Sequence, residues 1–195
     1  DSIKNKELFK SKNYKKIIKN NKIDTIIILT ESGNHYKIAK ESLLNKKNII
    51  VEKPLCLKIK QINDLLKISK KVKKKIFVIM QNRFNNPISL AKNYIDNNKF
   101  GKIICITARV RWSRDQSYYN QAYWRGTWKY DGGALTNQGI HHIDLLYYLG
   151  GEIIETFAFS SKRLARIQSE DTAVAVLKFK SGALGTLEVT TATRP

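Results

Sequence analysis

The chain has 195 residues, 42% of them hydrophobic, enough for one large domain or for a small domain plus part of a second. Its longest apolar runs, such as 26–29 and 145–151, fall far short of the roughly 20 residues a membrane helix needs, and no signal peptide opens it, so a cytoplasmic globular protein without a membrane partner is expected. The formal net charge of +20 would favour nucleic acid, but no Arg precedes Arg83, and Lys runs rising together with Ile and Asn read as a solvated surface, so no nucleic-acid partner is expected.

A polar, Lys-rich helix is predicted at the start. From Asp24, DTIIILT is a short apolar run with polar flanks, which predicts a fully buried parallel strand. Residues 36–46 carry near-helical apolar spacing, and NIIVEKP supplies a second buried strand ending at Pro54. Residues 58–75 repeat the pattern, with Ile59, Ile62, Leu65, Leu66, Ile68 and Val72 on one face and Lys opposite, followed by a strand over 76–81. Two consecutive strand, helix, strand units imply a doubly wound parallel sheet.

After Asn82 the pattern changes. A helix with Pro87 in its first turn runs to about Asn98, Gly101 ends it, and KIICITARVRW reads as a longer strand. The Trp- and Tyr-rich stretch 113–130 is assigned to neither element, and an apolar helix opens near 134–137. From Glu152 onward there are three strand candidates, with Ser181 and Gly182 forming a hairpin turn between AVAVLKFK and ALGTLEVT. The predicted organisation is α/β: an incomplete Rossmann domain over 1–82, then an α+β domain with a largely antiparallel open sheet over 83–195. The boundary falls near 81–86. No GxGxxG occurs, the chain opens without Met and it stops directly after a strand. It is therefore expected to be a fragment, inactive alone, lacking the first Rossmann strands and the last strands of the second domain.

Cys56 and Cys105 have no CxxC spacing, so neither a disulfide framework nor a zinc ribbon is offered, and both are expected as buried thiols. In an open parallel sheet ligands bind at the carboxyl ends of strands, so Thr30, Ser32, Asn34 and His35 are expected to rim a crevice; helix capping by Ser32 or Asn34 is the alternative. The second strand delivers Glu52, Lys53 and Pro54 to the same edge. A Lys there can have its pKa lowered or can donate to a substrate oxygen.

In YDGGALTNQGIHHIDLLYYLGG, Gly132 and Gly133 allow a tight turn. If the helix starts by Asn137, that residue and His141 lie at i and i+4, His141 and Asp144 at i and i+3, and His142 points roughly 100° away. A helical pair supplies at most two metal ligands and only His35 remains, so no metal is expected. A histidine satisfied by a helix neighbour is the plainer reading.

EKP at 52–54, QNRFNNP at 81–87 and GGALTNQGIHHIDLLYYL at 132–149, in this order, resemble the glucose-fructose oxidoreductase / inositol dehydrogenase / MocA family of NAD(P)-dependent oxidoreductases. The resemblance spans nearly the whole chain. It implies a Rossmann domain for NAD or NADP, a second domain for the substrate, and hydride transfer at a secondary hydroxyl of a sugar, polyol or nucleotide sugar. By resemblance, Lys53 stands near the nicotinamide and the reacting hydroxyl, and His141 is the acid/base in preference to His142. Thr30, Ser32, Asn34, His35, Glu52, Lys53, Pro54 and Gln81 become cofactor contacts. Many members carry Asp where this chain has Asn137; a neutral amide would orient substrate or cofactor by hydrogen bonds instead. The Asn form and YWRGTWKYDGGAL look like the branch that oxidises nucleotide-linked amino sugars and their uronates. There Arg83, Arg125 and Asn137 would bind substrate, Arg125 by pairing with a phosphate or carboxylate, and Tyr123, Trp124 and Trp128 would stack on sugar faces. A homo-oligomer, dimer or tetramer, through the open sheet is also implied. Two rivals stand beside this reading: a non-catalytic sugar or nucleotide sensor on the same fold, and a basic nucleic-acid-binding module.

Overall fold

The computed structural model describes residues 10–194, so the start of the predicted Lys-rich helix, on residues 1–9, lies outside the described residues. The first described helix, α1 (Tyr14–Ile18), is capped by the Asn13 side chain, which accepts from the Lys15 N–H at 3.0 Å. Three parallel strands follow in the order β1 (Thr25–Ile28), β2 (Asn48–Glu52), β3 (Ile76–Ile79). Their register pairs Ile27 with Ile50 and Val51 with Val78. The crossovers are α2 (Ser32–Leu44) and α3 (Ile59–Val72).

α3 shows why its sequence is helical: Ile62, Leu65, Ile68 and Val72 recur at three- and four-residue intervals and turn one apolar stripe inward. Leu65, Leu43, Ala39, Ile49 and Val51 are fully buried in the core that results. Each buried Leu, Ile or Val side chain among them contributes about 1.5–3 kcal/mol from its burial. Both helices pack against each other on the same face of the sheet, and among the described residues nothing covers the other face. The isoleucine run of β1 is thus not buried on both sides as predicted, because Ile27 is 61% and Leu29 71% exposed. The second helix also begins four residues earlier than its periodicity indicates. Glu31, in extended conformation, is its N-cap, so Ser32 to His35 form its first turn and neither Ser32 nor Asn34 caps it.

A 3-10 turn (Gln81–Phe84) leads into α4 (Asn86–Asp96), with Pro87 in the first turn, where a missing amide costs nothing. A second sheet is built from β4 (Cys105–Arg111), β5 (Ile153–Ser161), β6 (Thr172–Phe179) and β7 (Leu184–Thr190), in the order β4-β7-β6-β5. Neighbours β5/β6 and β6/β7 are antiparallel, and β4 runs parallel to β7. The sheet is therefore mixed, with antiparallel pairs in the majority. The β6/β7 hairpin turns at Gly182, where the Gly182 N–H donates to the Phe179 carbonyl at 2.9 Å.

Strict alternation in β6 sends Ala173, Ala175, Leu177 and Phe179 inward and Val174 and Val176 out. The inward set packs with Val110, Leu187 and Val189, and with Leu146 of α6 (Ile140–Gly150), which covers that face. Cys105 departs from expectation. It pairs with Leu184 on the outer face of β4 and is exposed, because the strand's alternation places Ile106, Ala108 and Val110 inside instead. Cys56 is buried as expected, and burial pushes its thiol up to about 12.

The stretch 113–130 holds one short helix, α5 (Gln116–Asn120), capped by Asp115, and otherwise irregular backbone. α6 is preceded by a π-helical turn (Leu135–Gly139) rather than by a regular α-helical start. Its first amides are tied to the segment before β6: the Ala134 N–H donates to the Glu170 carbonyl at 3.0 Å and the Leu135 N–H to Glu170 Oε1 at 2.9 Å. A π turn carries i→i+5 bonds and a wider spiral, so the helix does not open at Asn137 with regular α-helical bonding.

Candidate active site

The carboxyl ends of β1 and β2 open on the second domain, as the rule for open parallel sheets requires. A crevice of about 440 Å³ lies there, lined by Leu29 to Ser32, by Glu52 and Lys53, and across it by Trp124 and Asn137. Lys53 closes the gap. Its ammonium donates to the Asn137 carbonyl at 2.7 Å and to Asn137 Oδ1 at 3.1 Å, joining residues 84 apart in sequence. The domains also meet at backbone level, where the Gly33 N–H donates to the Tyr130 carbonyl at 3.1 Å. A Cβ at Gly33 would lie 2.2 Å from the Lys129 carbonyl, so only glycine permits this approach.

Around Lys53 the polar groups form one connected set. The Asn137 amide nitrogen donates to Asp131 Oδ1, and Asp131 Oδ2 accepts from the Gly126 N–H at 2.6 Å. Gly132 and Gly133, both at positive φ, turn the chain between Asp131 and the π turn; a side chain at Gly133 would run into the Glu170 carboxylate. Burial lowers the pKa of Lys53, with Glu52 and Asp131 pulling the other way. Burial raises that of Asp131, opposed by the Gly126 N–H, Asn137, Arg125 and Lys53.

The two histidines differ in what they feel. Burial depresses both, but His141 is pushed further down by the Lys53 charge and drawn up by Glu52, whereas for His142 burial is the only cause. His141 is therefore the one in electrostatic contact with the crevice. Nδ1 of both histidines is buried without a partner among the described residues, so that feature does not separate them. Asp144, one turn further along, acts on His141 through its charge alone. It takes a bidentate ion pair from Arg83, at 2.7 Å to Nε and 2.5 Å to Nη2, with the guanidinium stacked over Tyr148.

Other predicted site residues spread more widely. Thr30, Ser32, Glu52, Lys53, Trp124 and Asn137 meet at the crevice. His35 does not: it is 1% exposed, and its ring nitrogens lie 2.7 Å from the Pro54 carbonyl and 2.8 Å from the Thr30 carbonyl. It clamps the two strand-end loops from behind, and both its polar atoms are spent on them, so it cannot serve as the cofactor contact predicted for it. Asn34 is turned back to donate to Glu31 Oε2 at 2.9 Å, and Pro54 is buried. Gln81 opens the 3-10 turn, exposed and away from the crevice lining. Arg83 lines a neighbouring groove of about 570 Å³ between α3 and α6, together with the 54–59 segment. Arg125 stacks on Tyr118 and Trp124, at 4.1 and 4.8 Å, and faces a third cavity of about 480 Å³ with Arg166. Trp128 is exposed and lines none of the three. Sequence reading missed two buried carboxylates, Asp131, whose partners Gly126 and Asn137 flank it across irregular turns, and Glu170, whose partner Leu135 lies 35 residues away; the one local signal was an Asp directly before a glycine pair. Among the described residues no group of three or more His, Cys, Asp or Glu is placed to hold a metal ion, and no helix is long and apolar enough to cross a membrane.

Residues 3–80 match the oxidoreductase family with an NAD-binding Rossmann fold, and residues 88–195 match the GFO/IDH/MocA C-terminal domain. The chain belongs to the GFO/IDH/MocA family of oxidoreductases. Its structure superposes with a TM-score of 0.90 on the WlbA dehydrogenase from Chromobacterium violaceum in complex with NADH and UDP-GlcNAcA, at 35% identity over 94% of this chain and 53% of that one. Levoglucosan dehydrogenase in complex with NADH and levoglucosan gives 0.86 at 25% identity, over 94% of this chain and 52% of that one. The myo-inositol 2-dehydrogenase of Thermotoga maritima is 28% identical over 88% of this chain and 51% of its own length. The chain thus spans about half the length of the relatives it matches.

The residues fit the dinucleotide that this family binds. The crevice lies at the carboxyl edge of β1 and β2, its rim is polar, and its one cation comes from Lys53, with an unpartnered imidazole nitrogen close behind.

Proposed function

We propose that the complete protein is an NAD(P)-dependent dehydrogenase acting on a secondary hydroxyl of a sugar, polyol or nucleotide sugar. The observation that carries this reading is Lys53, which reaches from the end of β2 to Asn137 with His141 within its electrostatic range. Thr30, Ser32, Glu52 and Lys53 would hold the nicotinamide half of the cofactor. A bound nicotinamide dinucleotide supplies the acceptor for the hydride that leaves the carbinol carbon.

The chain's own groups manage the proton and the charge. Lys53 donates hydrogen bonds to the substrate oxygen, stabilising it as it becomes a carbonyl. His141, whose depressed pKa keeps the ring neutral near neutral pH, accepts the hydroxyl proton and returns it in the reverse direction. Trp124, in the crevice wall, gives an apolar surface for a sugar face. Similarity to an NADH- and UDP-GlcNAcA-bound dehydrogenase favours NAD and a nucleotide-linked sugar, with Arg125 as the cation nearest the aromatic loop. A cytoplasmic location fits a dinucleotide-dependent enzyme with two free cysteines.

The outer face of the second sheet supports self-association. Phe157, Phe159, Val174 and Val176 form an exposed apolar patch beside the charged Arg109, Arg111 and Glu188. Face-to-face packing of two copies would bury it. The deciding experiment is to purify the complete protein and follow nicotinamide absorbance with UDP-sugars, free hexoses and inositols. Intact dinucleotide binding without turnover of any of them would overturn the dehydrogenase reading in favour of a sensor.

A further inference from the structure

Asp131 is not among the residues that line the crevice, yet the Lys53 ammonium leads to it through Asn137. It is 4% exposed, and both its oxygens are used: Oδ2 by the Gly126 N–H at 2.6 Å, Oδ1 by the Asn137 amide nitrogen. An ionised carboxylate only accepts and an ammonium only donates. Between them the Asn137 amide has a single satisfiable orientation, nitrogen towards Asp131 and oxygen towards Lys53. Turned over, it would set N–H against ammonium and oxygen against carboxylate.

We propose that Asp131 is the positioning residue of this site: it fixes the Asn137 amide so that the oxygen faces Lys53, and it places the site's fixed negative charge one layer behind the lysine. The chain Lys53, Asn137, Asp131 then carries one net compensated charge pair with a neutral amide as its spacer. The charged and titratable groups bearing on Lys53 are Glu52 from its own strand, Asp131 from the loop and His141 from α6; those bearing on Asp131 are Arg125, Lys53 and Glu170. Burial lowers the Lys53 pKa, and Glu52 and then the charge at 131 oppose that drop. The arrangement also explains how Asn serves at position 137. A carboxylate there would stand against Asp131 in a buried pocket, whereas exchanging the two restores one charge and one amide.

The catalytic consequence rests on the dehydrogenase reading; the geometric one does not, and the test separates them. In the complete protein, competitive acetylation of lysines with acetic anhydride, resolved by peptide mass spectrometry across a pH series, reads the titration of Lys53 without any turnover. D131N is expected to move the Lys53 midpoint down and to raise its labelling at a fixed pH near 8 by about three-fold or more. A merely structural loss would instead let water in and move the midpoint up. N137D is expected to lower Tm, and D131N/N137D to recover both Tm and midpoint towards the starting protein. A D131N midpoint that stays or rises overturns the proposal, as does a double variant no better than N137D. If D131N does not fold, the double variant decides alone, and its failure to fold also overturns the proposal. Should Lys53 respond as expected while no substrate turns over, the dehydrogenase reading falls and the role of Asp131 stands.

Discussion

The two walls of the crevice are built by opposite means. The first-domain wall is a by-product of strand geometry: β2 ends at Glu52, and Lys53 emerges at the sheet edge because parallel strands deliver their carboxyl ends together. The second-domain wall is Trp124 and Asn137, and Asn137 is backed by the 126–131 loop, the π turn and Glu170, which buried polar groups tie together beside the apolar contacts of Ala134 and Leu135. One wall tolerates change in the side chains around it. The other depends on each partner, since a buried donor or acceptor left alone costs about 1–3 kcal/mol.

Chemistry and scaffold can be separated along this line. The largest scaffold effect is expected from Phe179→Ala, because Phe179 is fully buried at the centre of the second core, against Gly150 and Gly185. It should cost about 3–5 kcal/mol in denaturant unfolding of the second domain. A much smaller loss would mean that α6 is not held by that core. Next comes the histidine pair. His141→Ala should lower kcat by about 10²–10⁴, with folding intact, while His142→Ala should lie within about ten-fold of the starting protein. Equal losses would remove the distinction drawn from Lys53 and Glu52.

Acid should act on the same wall. Both imidazoles have depressed pKa values in the folded chain from an ordinary 6.5, so between the folded and unfolded values the unfolded chain binds more protons. Stability then rises with pH through that window and falls as pH drops below about 6.5. Thermal unfolding followed from pH 8 to 5 should show Tm declining over this window, and an H141Q/H142Q protein should show a flatter profile. The smallest effect is expected far from both walls. Lys92 and Asp96 form an i, i+4 pair on the surface of α4, and Asp96→Asn should change stability by no more than about 0.5 kcal/mol. A larger change would mean that α4 bears on the domain junction.

Much of the first wall was readable from residues alone. The Ile-rich runs at 26–28 and 49–51, the helical spacing of 62, 65, 68 and 72, and a Lys directly after a strand are local patterns, and local patterns survive folding. The errors share one cause. Thr30, Ser32, Asn34 and His35 read as one rim, and Thr30 and Ser32 do line the crevice, but His35 lies buried between the Thr30 and Pro54 carbonyls, which the folded loops bring together. Asp144 is the neighbour of His141 that its spacing indicates and acts on it by charge, but its hydrogen bonds go to Arg83, 61 residues away.

The sequence by itself determined the two-part α/β organisation, the strand that carries Lys53 and the three motifs that resemble the family, since each depends on periodicity or on a contiguous run. Tertiary structure alone decided which end of Asn137 meets Lys53, that the helix opens with a π turn, and that Asp131 and Glu170 hold it there. Those choices follow from the need to satisfy buried polar groups. Lys53 with Asn137 and Leu135 with Glu170 pair across tens of residues, and Asp131 with Asn137, six apart, meet through an irregular turn, so no periodic pattern encodes these pairings.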